Sequence, residues 1–290
     1  VDAGYEVKAL VRHHAATAVA SDAPDATPAA VSAFLATLPG VTLVQGSVTS
    51  SSDCAALLEG CAACLALHGA RRTSKWTDAL PWTRPEDDDP SHAKQVNYMG
   101  VRYLLSAAAA SKTCKRIVRV TGKGETPFSI FSVLINTLGS MAKAWNYEGE
   151  RLLRGQSEVE YTIVRPGVMA PDTPVEPKSL VLADNGGDLK VSRVAHETIA
   201  ALCVQSLEYP NAGRATLCAM TVPSGDGADS YAPLLANVGA DSRAFAGDEL
   251  FEKHLLAVRL AGTALAAAAC AVAALALSVV SRLLSLLPFF

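Results

Sequence analysis

The string Val159-Glu-Tyr-Thr-Ile-Val-Arg-Pro-Gly167 decides how the rest of the chain is read. Its centre, Tyr161 to Val164, is a short apolar run closed by Pro166 and Gly167, the pattern of a buried strand. Four similar runs lie upstream, at Val7 to Val11, Val41 to Val44, Cys61 to Leu67 and Arg116 to Thr121, each followed by a stretch able to form a helix. Strands alternating with helices predict an α/β fold, a doubly wound parallel sheet with helices on both faces. The expected organisation is a domain over 1–222 in which the five runs form one sheet. A smaller irregular cap is placed over 170–245, a linker over 223–248, and a separate C-terminal segment over 249–290.

The helical stretches carry their own signals. Thr27 before Pro28 reads as an N-cap, and Val31, Phe34, Leu35 and Leu38 make a stripe that Pro39-Gly40 ends. Val96, Met99, Tyr103, Leu104 and Ala107 repeat at three and four, with Gly100 leaving room for a neighbouring backbone. Leu134, Leu138, Met141, Trp145, Gly149 and Leu152 are expected to share one buried face, with Met141 and Trp145 as core. Arg71 to Ala93, which contains Trp76, Trp82 and the acidic run Glu86 to Asp89, reads as a surface loop.

Composition removes several function classes. With 25 basic and 28 acidic residues among 290, no basic surplus exists to neutralise a phosphate backbone, so nucleic acid is not an expected partner. The 7 cysteines are an odd number in a chain too large to need stapling, which points to free thiols in a reducing compartment. Cys61 and Cys64 form a C-x-x-C inside an apolar run with no second pair at zinc spacing, so both are read as core and no metal is expected.

Leu260 to Ser281 is 22 residues without a charge, long enough at about 1.5 Å per residue to cross a bilayer. Leu260, Leu265, Val272, Leu275, Leu277, Val279 and Val280 supply most of the drive to insert, and Arg259 and Arg282 bracket the run. The expected partner is therefore the lipid bilayer through a single-pass C-terminal anchor, with a protein partner also possible. The large domain would lie in the cytosol or an organellar matrix or stroma.

Several strings together resemble the atypical short-chain dehydrogenase/reductases of the NmrA-like type. They are Gly4-Tyr-Glu-Val-Lys-Ala-Leu-Val-Arg12, Val96-Asn-Tyr-x-Gly100 with Leu104-Leu105, Lys115-Arg-Ile-Val-Arg-Val-Thr121, and Glu150 through Gly167, with Val191-Ser-Arg-Val194 beyond. The resemblance implies a Rossmann-like fold that binds NADP or NAD. Arg12, just past the first strand, presents positive charge where a 2′-phosphate would lie and so suits NADP. Ser47 and Val48 would edge the adenine, while Leu67, His68 and Gly69 end a strand that passes the cofactor. Thr121 would lie near the nicotinamide, flanked by Pro166, Gly167 and Val168.

Two departures limit what the resemblance implies. The family's glycine-rich turn has no counterpart here, so the sequence is read as part of a longer parent and expected to bind dinucleotide weakly as it stands. Aligning Glu150 with the family's glutamate places Ala142 at the catalytic tyrosine position and Asn146 at the lysine position. Neither can relay a proton. Lys143 and Tyr147, four apart in reversed order, are weak substitutes. The expected function is a membrane-anchored NAD(P)-binding protein, catalytically weak or serving as a scaffold, redox sensor or assembly factor. The competing reading is an active NADP-dependent reductase or epimerase of a hydrophobic substrate.

Overall fold

The computed structural model describes residues 3–12, 28–71, 87–170, 179–222 and 227–285. The five expected strands are β1 (Val7–Val11), β2 (Val41–Gln45), β3 (Ala63–Ala66), β4 (Arg116–Val120) and β5 (Glu160–Pro166). Helices return the chain between them: α1 (Pro28–Thr37), α2 (Ser51–Leu58), α3 (Gly100–Ser111, entered through a π-helical turn at Lys94–Met99), α4 (Ile130–Leu138) and α5 (Ala142–Arg154). Crossovers of this kind force parallel pairing, and β1 with β2, β3 with β4, and β4 with β5 all pair parallel. The α/β class read from the sequence holds.

The expectation of one sheet built from those five strands needs correction in two places. First, β1 and β2 form a two-stranded sheet of their own, and β1 is not hydrogen-bonded to β3. The two parts still share a core, since Leu10 and Val44 pack against the cluster of Cys54, Leu57, Leu58, Cys64 and Ala66. Second, the stretch expected as an irregular cap contributes to the main sheet, whose order is β3-β4-β5-β9-β7. Here β7 is Leu180–Ala183 and β9 is Ala215–Thr221, with β9 parallel to β5 and antiparallel to β7. The short β6 (Val168–Met169) and β8 (Arg193–Val194) pair separately. Every residue of β9 from Ala215 to Met220 is buried. Small or unbranched side chains (Ala215, Cys218, Ala219, Met220) supply much of that burial, with Thr216 the one β-branched residue among the six, so the strand is faint in the sequence.

The linker expected over 223–248 is also corrected. Residues 223–226 lie outside the described residues, but Leu235 of α7 (Tyr231–Ala236) and Val238 are buried in a core shared with Ile199 and Leu202 of α6 (His196–Gln205). Asp241 accepts hydrogen bonds from the Tyr161 hydroxyl at 3.0 Å and the Thr216 hydroxyl at 2.6 Å.

The C-terminal segment is one helix, α8 (Glu249–Ser285), and its first turns belong to the domain. Leu250, His254, Leu255, Ala257 and Val258 are buried, and Phe251 packs its ring 4.5 Å from Trp145. From Leu260 to Arg282 the helix is exposed, Gly262 alone in that stretch being half-buried. Domain and apolar span therefore meet inside a helix, near Arg259, and not at a flexible joint.

Met141 and Trp145 are buried as expected, but Leu134 and Leu138 are 51% and 54% exposed. Ser140 and Met141 take positive φ values of 52° and 62°, which breaks the helix between α4 and α5. The helical phase that puts Met141 inward consequently does not extend back to Leu138. In α1 the stripe also fails: Val31 and Phe34 are exposed while Ala30 and Ser32 are buried. Thr27, Trp76, Trp82 and Glu86 lie outside the described residues.

Candidate functional site

Because the strands are parallel, their carboxyl ends lie at one rim, the usual place for a ligand in an open α/β sheet. Arg12 stands exposed just past β1; His13 and His14 lie outside the described residues. Past β2, the Ser47 amide donates to Asp53 Oδ2 at 2.8 Å and its hydroxyl lies 2.8 Å from that of Thr49, so the turn is held shut. Val48 packs directly onto α3: a Cβ on Gly100 would fall 2.2 Å from Val48 Cγ2 and 3.4 Å from His68 Nε2. The sequence-predicted Val48, His68 and Gly100 are thus neighbours.

At the end of β3, Leu67 is 53% exposed and Gly69 borders open space. His68 Nε2 is buried with no partner among the described residues. Burial, and then the Arg119 guanidinium, hold its imidazole neutral, well below the ordinary histidine range. An orphaned buried nitrogen is costly unless something meets it.

The residues expected to flank a nicotinamide are engaged in the protein's own bonds. Thr121 donates its hydroxyl to Glu150 Oε1 at 2.6 Å. Pro166 has no N–H, Gly167 N donates to Ala219 O at 3.0 Å, and Val168 N donates to Ser192 O at 2.9 Å. A side chain at Gly167 would collide with Ser192 O at 2.1 Å, so glycine is required there. Thr121, Gly167 and Val168 shape this side of the rim but have no amide or hydroxyl proton free for a cofactor.

Helix α5, where the resemblance places a tyrosine and lysine relay, holds a different arrangement. Asn146 Oδ1 accepts from Arg119 Nη2 at 2.9 Å, while Arg119 Nη1 donates to the carbonyls of Ala66 at 3.0 Å and His68 at 2.6 Å. Arg119 is 1% exposed, and burial lowers its pKa to about 10 against the pull of Glu150. Tyr147 is buried with its hydroxyl donated to Ala246 O at 3.1 Å; burial, then the Glu125 carboxylate, push its pKa up to about 12. Lys143 turns elsewhere, donating to Ser132 Oγ at 2.6 Å. The reversed pair is not brought together.

Sequence reasoning missed three groups here. Arg119 was read only as part of a strand, though a charged residue inside Arg-Ile-Val-Arg-Val is itself a signal that something must bind it. Arg165 sits fully buried between Glu150 and Glu125, bonded to Glu150 through Nε at 3.0 Å and to Glu125 through Nη1 at 2.8 Å. Burial opposes its charge, but Glu150 and then Glu125 hold its pKa above the ordinary range. Asn97, also buried, accepts from Ala70 N at 2.9 Å and donates to Ala142 O at 3.2 Å, tying the β3 loop to α5.

A family model described as NAD(P)H-binding matches residues 2–210. No curated protein matches the chain. Among solved structures, a candidate epimerase from Bacteroides thetaiotaomicron aligns with a TM-score of 0.51 at 14% identity, over 77% of this chain and 88% of its own. An oxidoreductase from Lactococcus lactis aligns at 0.49 and 12% identity, over 76% and 81%. A short-chain dehydrogenase/reductase from Veillonella parvula, in complex with NADP, aligns at 0.46 and 13% identity, over 67% and 77%.

Proposed function

The chain belongs to the NAD(P)H-binding family, and from that premise we propose that it is a membrane-anchored dinucleotide-binding protein without the family's proton relay, acting as a scaffold or redox sensor. The observation that carries this reading is the bond from Arg119 to Asn146. The position that would hold a relay lysine instead holds an amide committed to a buried guanidinium, and Ala142 offers only a methyl group. The site has been rebuilt as a structural joint.

Arg12 and His68 are the polar groups best placed to meet a cofactor. Arg12 supplies a cation for a 2′-phosphate, which favours NADP, and His68 Nε2 supplies an unsatisfied buried nitrogen beside Val48 and Gly100. In this reading α8 holds the domain at a membrane, with residues 1 to about 250 in a reducing compartment such as the cytosol or an organellar matrix. The test is a titration of the full chain with NADPH and NADH, followed by fluorescence. Arg12→Ala should weaken NADPH binding by about 1–3 kcal/mol while leaving NADH nearly unchanged. Equal losses for both would remove the NADP assignment.

One observation favours a second reading, an active reductase or epimerase of a hydrophobic substrate. Lys143 has its pKa lowered to about 8 by burial, then by Lys123 and Arg165, and it touches the Ser132 hydroxyl. A lysine titrating near neutrality is a general-acid candidate.

A further inference from the structure

Helix α4 is amphipathic in the sense opposite to that of a helix facing water. Its inward residues are polar: Ser132 and Asn136 are fully buried. Its outward residues are apolar, with Ile130 84%, Phe131 71%, Leu134 51% and Leu138 54% exposed, and Phe128 just before it 59% exposed. No charged residue occurs from Phe128 to Leu138. A contiguous exposed patch of this kind marks a surface that something else covers.

The inversion is locked by the inward bonds. Asn136 Oδ1 accepts from the amides of Lys143 at 3.0 Å and Ala144 at 3.2 Å, satisfying the start of α5. Its amide nitrogen lies 2.9 Å from His254 Nδ1 on α8. Ser132 Oγ accepts from Lys143 Nζ at 2.6 Å. Rolling α4 to hide Phe131 would orphan these buried groups, each costing about 1–3 kcal/mol.

The bond to His254 also sets the height of α4 along α8. Arg259, the last charge before the 22 uncharged residues, is five positions beyond His254, or about 7.5 Å along the helix axis. The interfacial layer on each side of a bilayer is itself about 5–7 Å deep, and a helix is about 10 Å across. A helix docked at His254 therefore overlaps that layer when α8 enters the membrane at Arg259.

We propose that α4 is an in-plane interfacial helix whose outer face, from Phe128 to Leu138, is covered by the headgroup and acyl boundary of the bilayer that α8 enters. This rests on reading α8 as an anchor. Lipid is favoured over a protein partner because the face has no charge or amide to specify one, and because it adjoins a helix exposed around its whole circumference from Thr263 to Arg282. Aromatic and large aliphatic side chains are also those that settle at this depth. The consequence is a fixed orientation: α4 follows the loop after β4, and His254 Nε2 lies 2.7 Å from Gly124 O in that loop. One rim of the sheet is thereby held close to the membrane surface.

The experiment reconstitutes the full chain in phosphatidylcholine vesicles with or without bromine on the acyl chains, and measures tryptophan quenching. Three variants are compared against the parent's own tryptophans: Ile130→Trp on α4, Leu275→Trp in the apolar span, and Glu158→Trp, exposed on a loop. Ile130 is so exposed that the substitution leaves the core untouched. The proposal expects added emission from Ile130→Trp and Leu275→Trp to be quenched at least about twofold, as for groups 5–10 Å or more into the boundary, and that from Glu158→Trp to be unquenched. Quenching of Leu275→Trp with none of Ile130→Trp overturns the proposal and leaves the anchor standing. Quenching of neither overturns both. A blue-shifted but unquenched Ile130→Trp signal that grows with protein concentration means that a second copy covers the face, and also overturns it.

Discussion

Arg119 and Asn146 are joined by a 2.9 Å hydrogen bond between β4 and α5, and the same guanidinium binds the carbonyls of Ala66 and His68 at the end of β3. One buried cation thus joins three elements at the carboxyl-end rim of the sheet. Its charge is compensated by carbonyl dipoles and by the nearby Glu150, which is itself held ionised, against burial, by Arg165 and Arg154.

Restoring the family's residue should therefore harm the protein. Asn146→Lys would set a second cation, at a half-buried position, against the buried Arg119. We expect a loss of about 1–3 kcal/mol in chemical denaturation, the scale for leaving a buried hydrogen-bonding group without its partner, and no gain of turnover. A stable variant that reduces carbonyls would contradict the joint.

Gly100→Ala should destabilise by about 1–3 kcal/mol, since its Cβ would stand 2.2 Å from Val48 Cγ2. The double variant Gly100→Ala with Val48→Ala removes the clashing methyl groups and should recover part of that loss. Strictly additive losses would show that the two residues do not meet.

Much of this rim was legible beforehand. The strings ending in Gly46-Ser47-Val48, Leu67-His68-Gly69, Thr121 and Pro166-Gly167-Val168 mark strand ends, because a period-two or fully apolar run stopped by a turn former is a local signal. What the sequence hid was long-range pairing. Nothing local indicates that Thr121 donates to Glu150, or that Asn136 binds His254 across 118 positions. The buried strand β9 was hidden for a different reason: its small residues fit a central position without advertising it. The outward face of α4 was misjudged because one break at Ser140 and Met141 resets the helical phase.

Stability should depend on Lys143 at alkaline pH. Burial, then Lys123 and Arg165, lower its pKa to about 8, against about 10.4 in the unfolded chain. Below about 8 both states are protonated and the cost of burying the charge is fully felt. Between about 8 and 10.4 the unfolded chain holds the extra proton, so this group's contribution to stability rises with pH. Subtracting the urea midpoints of Lys143→Met from those of the parent isolates it; a flat difference across that window would contradict the assignment.

The junction between domain and span predicts a sharp dependence on where the chain is cut. Ending at Arg259 retains Leu255 and Val258 against Met141 and Trp145 and should leave a folded domain. Removing residues 255 to 290 takes both away and should cost about 2–5 kcal/mol per large apolar side chain lost. Equal melting temperatures for the two truncations would show that α8 does not complete the core.

The central claim is that dinucleotide binding has outlived the proton relay, and turnover by the membrane-reconstituted full chain tests it most directly. NADPH oxidation is followed with a panel of ketones and aldehydes, alongside fluorescence that reports binding. The account predicts a saturable NADPH signal with no carbonyl-dependent oxidation, unchanged by Tyr147→Phe. Steady oxidation that falls about a hundredfold or more in Tyr147→Phe or Lys143→Met, the scale of a lost general acid, would contradict it.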